Sequence, residues 1–154
     1  MRKIRILAVG KIKEPYLRDA IAEYEKRLSK FCELDIIELK EASIDPKNPN
    51  VSSEKESKDI LEHLSDYEIV IALDQRGKEL DSPELASAIK KYTADYDITF
   101  VIGGPTGMTN EVLRRANMTV SFSKMTFTHQ MIRLFLVEQI YRSYTIINNM
   151  PYHR

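Results

Sequence analysis

The chain has 154 residues, 43% of them hydrophobic and 30% charged, with 23 basic residues balanced by 23 acidic ones. That length suits one ordinary domain, and the apolar fraction supports a buried core, so a disordered tail is excluded. Cys32 is the only cysteine, which excludes an intrachain disulfide and leaves a structural zinc site without its thiolates.

The opening MRKIRILAVGKIKEP is basic and carries the apolar stretch Ile6–Val9. That stretch is too short for a signal-peptide core, and no apolar run approaches the roughly 18 residues of a membrane helix. With a single cysteine fitting a reducing compartment, the expectation is a cytoplasmic protein with no membrane partner. Five short apolar runs predict strands at Ile4–Val9, Leu34–Leu39, Ile69–Leu73, Ile98–Ile102 and Met118–Phe122. Several are continuous rather than alternating, as in strands covered on both faces.

Helical patterns lie between them. Pro15 to Leu28 places Tyr16, Leu17, Ala20, Ile21, Tyr24 and Leu28 on one stripe. After a Pro-containing loop from Glu41 to Ser52, a more polar helix runs from Ser53 to Leu64. Ser82–Pro83–Glu84 predicts a helix start with Ser82 as the cap, and Thr109 caps a short helix to Ala116. The last helix, His129 to Ile147, spreads apolar residues around most of its circumference. It requires either central burial or a second subunit.

Strands alternating with helices predict an α/β fold, one domain over residues 1–154 with a mainly parallel sheet flanked by helices. Ligands in such sheets bind beyond the carboxyl ends of the strands, which selects the loops after Leu73, Ile102 and Phe122.

Three of the five glycines fall in Gly103–Gly104–Pro105–Thr106–Gly107. The spacing is neither a dinucleotide fingerprint nor a P-loop, so it reads as a tight turn or as a close backbone approach to a ligand. The segment from Ser121 to His129 mixes hydroxyls, Lys124 and large apolar residues. It either wraps an apolar ring or is a packed connector. His63, His129 and His153 have no metal-ligand spacing, and no metal site is expected. His63 sits on the polar helix as a surface residue. His129 opens the last helix, where the dipole favours a neutral ring; it is a candidate base or a structural histidine. The tail Pro151–Tyr152–His153–Arg154 is frayed unless it docks.

Charge is unevenly spread. Lys and Arg against Asp and Glu number nine to four over residues 1–30, eight to seventeen over 31–104 and six to two over 105–154. The basic ends suit a nucleic-acid partner or are ordinary surface patchiness.

Taken together, ILAVGK near the start, AEYEKRL at 22–28, LDQRGK at 73–78, VIGGPTG at 101–107, SFSKMTFTHQMIRLFLVEQIYRSY at 121–144 and PYHR at the end resemble the RlmH family. These are 23S rRNA pseudouridine-N3 methyltransferases of the SPOUT superfamily. The resemblance spans essentially the whole chain, and its 121–144 segment is the most specific part. It implies a C-terminal trefoil knot, a topology that general connection rules disfavour. It implies S-adenosylmethionine as methyl donor, held by Leu73, Gly103, Gly104 and Phe122, Ser123, Lys124, Met125, Thr126 and Phe127, without a metal. It also implies a homodimer with the last helix at the interface and the tail reaching the partner's site. Tyr152, His153 and Arg154 are then the residues expected to grip RNA, with His129 or His153 as proton acceptor.

Two places depart from the family pattern: Thr128 stands where proline often precedes the histidine, and Asn148–Asn149–Met150 replaces a Gly-containing approach to the tail. A chain of zero net charge should bind naked RNA weakly, because free RNA binding rests on many phosphate contacts. An assembled ribosome is therefore the expected substrate. The competing readings are a non-catalytic ribosome or RNA binder, and a SPOUT methyltransferase with another RNA substrate.

Overall fold

A computed structural model describes residues Met1–Arg154. The elements in order are β1 (Lys3–Val9), α1 (Pro15–Leu28), β2 (Glu33–Leu39), α2 (Asn50–Glu62), β3 (Ile69–Glu79), α3 (Ser82–Thr93), β4 (Ile98–Ile102), α4 (Asn110–Arg115), β5 (Met118–Ser121) and α5 (His129–Ile147). The five strands form one wholly parallel sheet in the order β2-β1-β4-β3-β5.

The continuous apolar runs are explained by helices on both faces. Along β1, Ile4, Ile6 and Ala8 join the larger core with Leu17 and Ile21 of α1, Leu85 and Ile89 of α3, and Leu136 and Ile140 of α5. Leu7 and Val9 point the other way, to Ile60 of α2 and Val112 of α4. A period of two thus divides one apolar run between two cores.

Four local differences from the sequence reading have identifiable causes. The cap of α3 is Asp81, not Ser82: the Asp81 carboxylate accepts from the Glu84 amide at 2.8 Å while Glu84 accepts from the Asp81 amide at 3.0 Å, a reciprocal capping box. Ser82 instead donates to Gln139 at 2.7 Å and ties α3 to α5. Helix α2 spans Asn50–Glu62 rather than Ser53 to Leu64; its buried stripe is largely polar, with Ser52, Glu56 and Ser57 beside Ile60, so a hydrophobic pattern marks its ends poorly. The last predicted strand ends at Ser121, one residue short, where the chain turns away. Strand β3 continues past Leu73 through a bulge: Leu73 and Lys78 both face Val120, and residues 74–77 loop out between them. Gly77 makes that bulge possible, since a Cβ there would lie 2.6 Å from the Thr119 carbonyl group.

The departures at 128 and 148–150 have structural roles. Thr128 caps α5, its hydroxyl accepting from the Met131 amide at 3.2 Å. Asn149 is the only non-glycine residue with positive φ (54°), the left-handed conformation that commonly ends a helix and that glycine or asparagine adopts most cheaply.

Helix α5 lies against α1 and α3, and none of its residues is exposed within one chain. Central burial therefore accounts for much of its apolar girth. Met131, Leu134, Phe135 and Tyr141 remain half-buried.

Candidate active site

The loops after β3, β4 and β5 converge on a cavity of about 280 Å³ at the carboxyl edge of the sheet. Leu73 closes its floor beside Ile102 and Val120, Gly103 and Gly104 form one wall, and the chain from Phe122 to Phe127 crosses in front. Every residue expected there lines it except Lys124, which is exposed outside. His129 also lines the cavity, so the strand-end rule and the loop composition select the same place.

The glycines serve different purposes. A Cβ on Gly104 would fall 2.8 Å from Glu56 Oε1 and 3.1 Å from Val9 Cγ1, and one on Gly103 would meet Met108 Cγ at 2.7 Å. Both are glycine because the protein behind them is close. Gly107 has φ +81° and open space where its Cβ would stand, so backbone conformation and not crowding selects glycine there. Glu56 is 3% exposed, and burial raises its pKa, while its Oε2 accepts from the Ala42 amide at 2.9 Å.

Asp74 and Gln75, in the β3 bulge, also line the cavity; they lie in the loop after Leu73 that the strand-end rule selects, although sequence reasoning named neither of them individually. Gln75 Nε2 donates to Thr126 Oγ1 at 3.0 Å, joining the bulge to the loop after β5. Arg76 donates to Asp74 through Nε and Nη2 at 2.8 and 2.9 Å, and reaches the Met108 carbonyl at 2.9 Å. The Arg76 hydrogen bond holds the Asp74 carboxyl below its ordinary range. One guanidinium thus braces the bulge against the glycine loop.

His129 is half-buried, and desolvation lowers its pKa, which favours the neutral ring. Its Nε2 is enclosed without a partner, on the side of Gly10 and Glu41, so Nδ1 is the nitrogen available to a ligand. One turn on, Arg133 is 1% exposed, donating to Glu38 at 2.6 Å and to the Gly10 carbonyl at 2.9 Å. Helix α5 is thereby fixed to the end of β1, directly beside the cavity.

The tail residues do not line this cavity. They fold back on α5, where the Tyr152 ring meets Tyr141 edge-on at 4.8 Å. His153 lines a second cavity of about 870 Å³ that shares Val120, Phe122 and Phe127 with the first. Arg154 is exposed. No cluster of three or more His, Cys, Asp or Glu side chains is placed to hold a metal, and no helix is long and apolar enough to cross a membrane.

A family described as predicted SPOUT methyltransferase matches residues 2–153. The chain belongs to the SPOUT methyltransferases. Proteins of Clostridium botulinum and Clostridium beijerinckii, both named ribosomal RNA large subunit methyltransferase H, are each 48% identical to it over 98% of this chain and 99% of their own length. The RlmH resemblance is thereby confirmed. The fold is similar to that of a probable methylase family protein of Haemophilus influenzae Rd KW20, with TM-score 0.58 and 16% identity over 98% of this chain and 70% of that one. A probable methyltransferase of Bordetella pertussis Tohama I aligns with TM-score 0.57 and 15% identity over 92% and 94%.

Proposed function

We propose that this SPOUT methyltransferase moves a methyl group from S-adenosylmethionine to N3 of a pseudouridine in 23S rRNA of the assembled ribosome, working as a homodimer in the cytoplasm. The observation that carries this reading is the convergence of three strand-end loops on one cavity, in a chain nearly half identical to proteins named for rRNA methylation.

The residues present fit the cofactor. Leu73, Ile102, Val120, Phe122 and Ile132 supply apolar walls, and Gln75, Ser121, Ser123 and Thr126 offer polar groups around them. When bound, S-adenosylmethionine supplies an electrophilic methyl group on a sulfonium. The chain's contribution is alignment, because much of the rate of an in-line displacement comes from holding the reactants in register. Leu73, Gly103, Gly104 and the 122–127 loop hold the donor side. Tyr152, His153 and Arg154 are assigned to the RNA side, Arg154 favouring the negative charge that develops as the acceptor imide loses its proton. His129, its pKa lowered by burial, is the candidate proton acceptor. The half-buried Met131, Leu134, Phe135 and Tyr141 of α5 support a second copy there, and zero net charge favours a preassembled RNA surface.

Gly104→Val tests the cavity. Its side chain would collide with Glu56 and Val9 and push the loop to the open side, toward the ligand space. Calorimetry with S-adenosylmethionine should show binding to the native chain and affinity lower by about tenfold or more in the variant, a loss of ~1.4 kcal/mol. Melting measured in parallel reports whether the fold persists. Unchanged affinity in a folded variant would place the cofactor elsewhere.

A further inference from the structure

We propose that Glu138 and Arg142 are positioning residues that hold the Pro151–Arg154 segment on α5 and fix His153 as its Nε2–H tautomer, so that His153 meets the RNA as a hydrogen-bond donor and not as a base. The inference rests on the proposed RNA methylation for its functional meaning, but its structural content stands on the side chains themselves.

Glu138 and Arg142 are one helical turn apart on α5. Arg142 donates to Glu138 Oε1 through Nε at 3.0 Å and Nη2 at 2.6 Å, and both side chains are about four-fifths covered, at 24% and 18% exposure. With those two nitrogens engaged, Nη1 lies 3.1 Å from His153 Nδ1. A guanidinium carries donors only, so the imidazole nitrogen facing it must offer its lone pair. The proton of the neutral ring is then on Nε2.

The rest of the segment is held for the same purpose. The Met150 amide donates to the Thr145 carbonyl at 2.8 Å after the left-handed residue Asn149 has reversed the chain. The Arg142 guanidinium lies 4.8 Å from the centre of the Tyr152 ring. The Tyr152 hydroxyl is 3.3 Å from both Glu138 Oε1 and the Tyr24 hydroxyl. Glu138 therefore anchors Arg142 and Tyr152 together, and Arg142 passes the constraint to His153.

The Nε2 edge is the one not turned to Arg142, and His153 lines the second cavity together with Phe122, Phe127 and Phe135. A uracil-type imide losing its N3 proton gathers negative charge on the flanking carbonyl oxygens. An N–H fixed in advance stabilises that charge without reorganising, whereas a histidine whose acceptor nitrogen is already occupied is not available to take the proton. The proton-acceptor role then passes to His129 or to water.

Histidine-selective nitrogen NMR on the full native chain reads the tautomer directly, with only three histidines to assign by His63→Gln and His129→Gln. Above neutral pH, His153 should show an unprotonated Nδ1 and a protonated Nε2, and Arg142→Met should convert that signal to a mixture of tautomers. A proton on Nδ1 in the native chain, or a tautomer unchanged by Arg142→Met, would overturn the proposal. In parallel, methylation of ribosomes by Arg142→Met and Glu138→Gln should lose about tenfold or more in kcat, with cofactor affinity unchanged and partial recovery in Arg142→Lys. If the native chain methylates no RNA while the tautomer is as stated, the proposed function fails and the positioning device survives. If it methylates RNA with the other tautomer, the positioning device fails alone.

Discussion

Glu38→Ala is expected to cost about 3 kcal/mol of stability, among the largest single effects in the chain, by stranding a buried guanidinium. Arg133 is 1% exposed and has two acceptors, Glu38 at 2.6 Å and the Gly10 carbonyl at 2.9 Å. Burial already lowers the Arg133 pKa, and the Glu38 carboxylate is the chief group opposing that shift. Removing the carboxylate leaves the positive charge in place with no counter-ion, and it also frees the Ile12 amide that Glu38 accepts at 2.9 Å. For a domain of this size the loss corresponds to a drop of roughly 10 °C in melting temperature. The double replacement Glu38→Leu with Arg133→Met should recover the part due to the stranded charge, because an apolar pair carries no charge desolvation cost, but not the part due to the unpaired Ile12 amide. Thermal unfolding of the three proteins decides the matter; a Glu38→Ala variant melting with the native chain would show that the pair contributes no net stability.

Arg154→Ala should lower methyl transfer to ribosomes by about a hundredfold to a thousandfold, the range for removing one preorganised donor to a developing oxyanion. Arg154 is exposed, so the same change should leave melting within about 0.5 kcal/mol of native and calorimetric affinity for S-adenosylmethionine unaltered. A fall in turnover with cofactor binding intact assigns Arg154 to the RNA side of the reaction. Near-normal turnover in Arg154→Ala, His153→Ala and His129→Ala alike would remove the tail and His129 from the chemistry.

The sheet was legible because its signal is local: five apolar runs, each covered on both faces, give strands whose alternate residues fall into two separate cores. The cavity was legible for a related reason, since parallel strands expose their binding loops at one edge and Gly103 to Gly107 stands there. What sequence could not show came from non-local contacts. Asp74 and Gln75 reach the cavity only because β3 bulges opposite Val120, and nothing in LDQRGK states which strand it will face. That a Cβ on Gly104 would crowd Glu56, about a third of the chain away, is likewise invisible in the local sequence. Ser82 reads as a cap, yet Asp81 closes the capping box and Ser82 turns to Gln139. The tail shows the same limit most plainly, because its order depends on Glu138, Arg142, Tyr141 and Tyr24 meeting it in space.

The most direct measurement is nucleoside mass spectrometry of 23S rRNA after ribosomes lacking the modification are incubated with the native chain and isotopically labelled S-adenosylmethionine. Labelled N3-methylpseudouridine should appear with assembled ribosomes and be far less abundant with short naked stem-loops, as zero net charge requires. Label on a different nucleotide, no label in any RNA, or equal methylation of naked stem-loops would contradict the account.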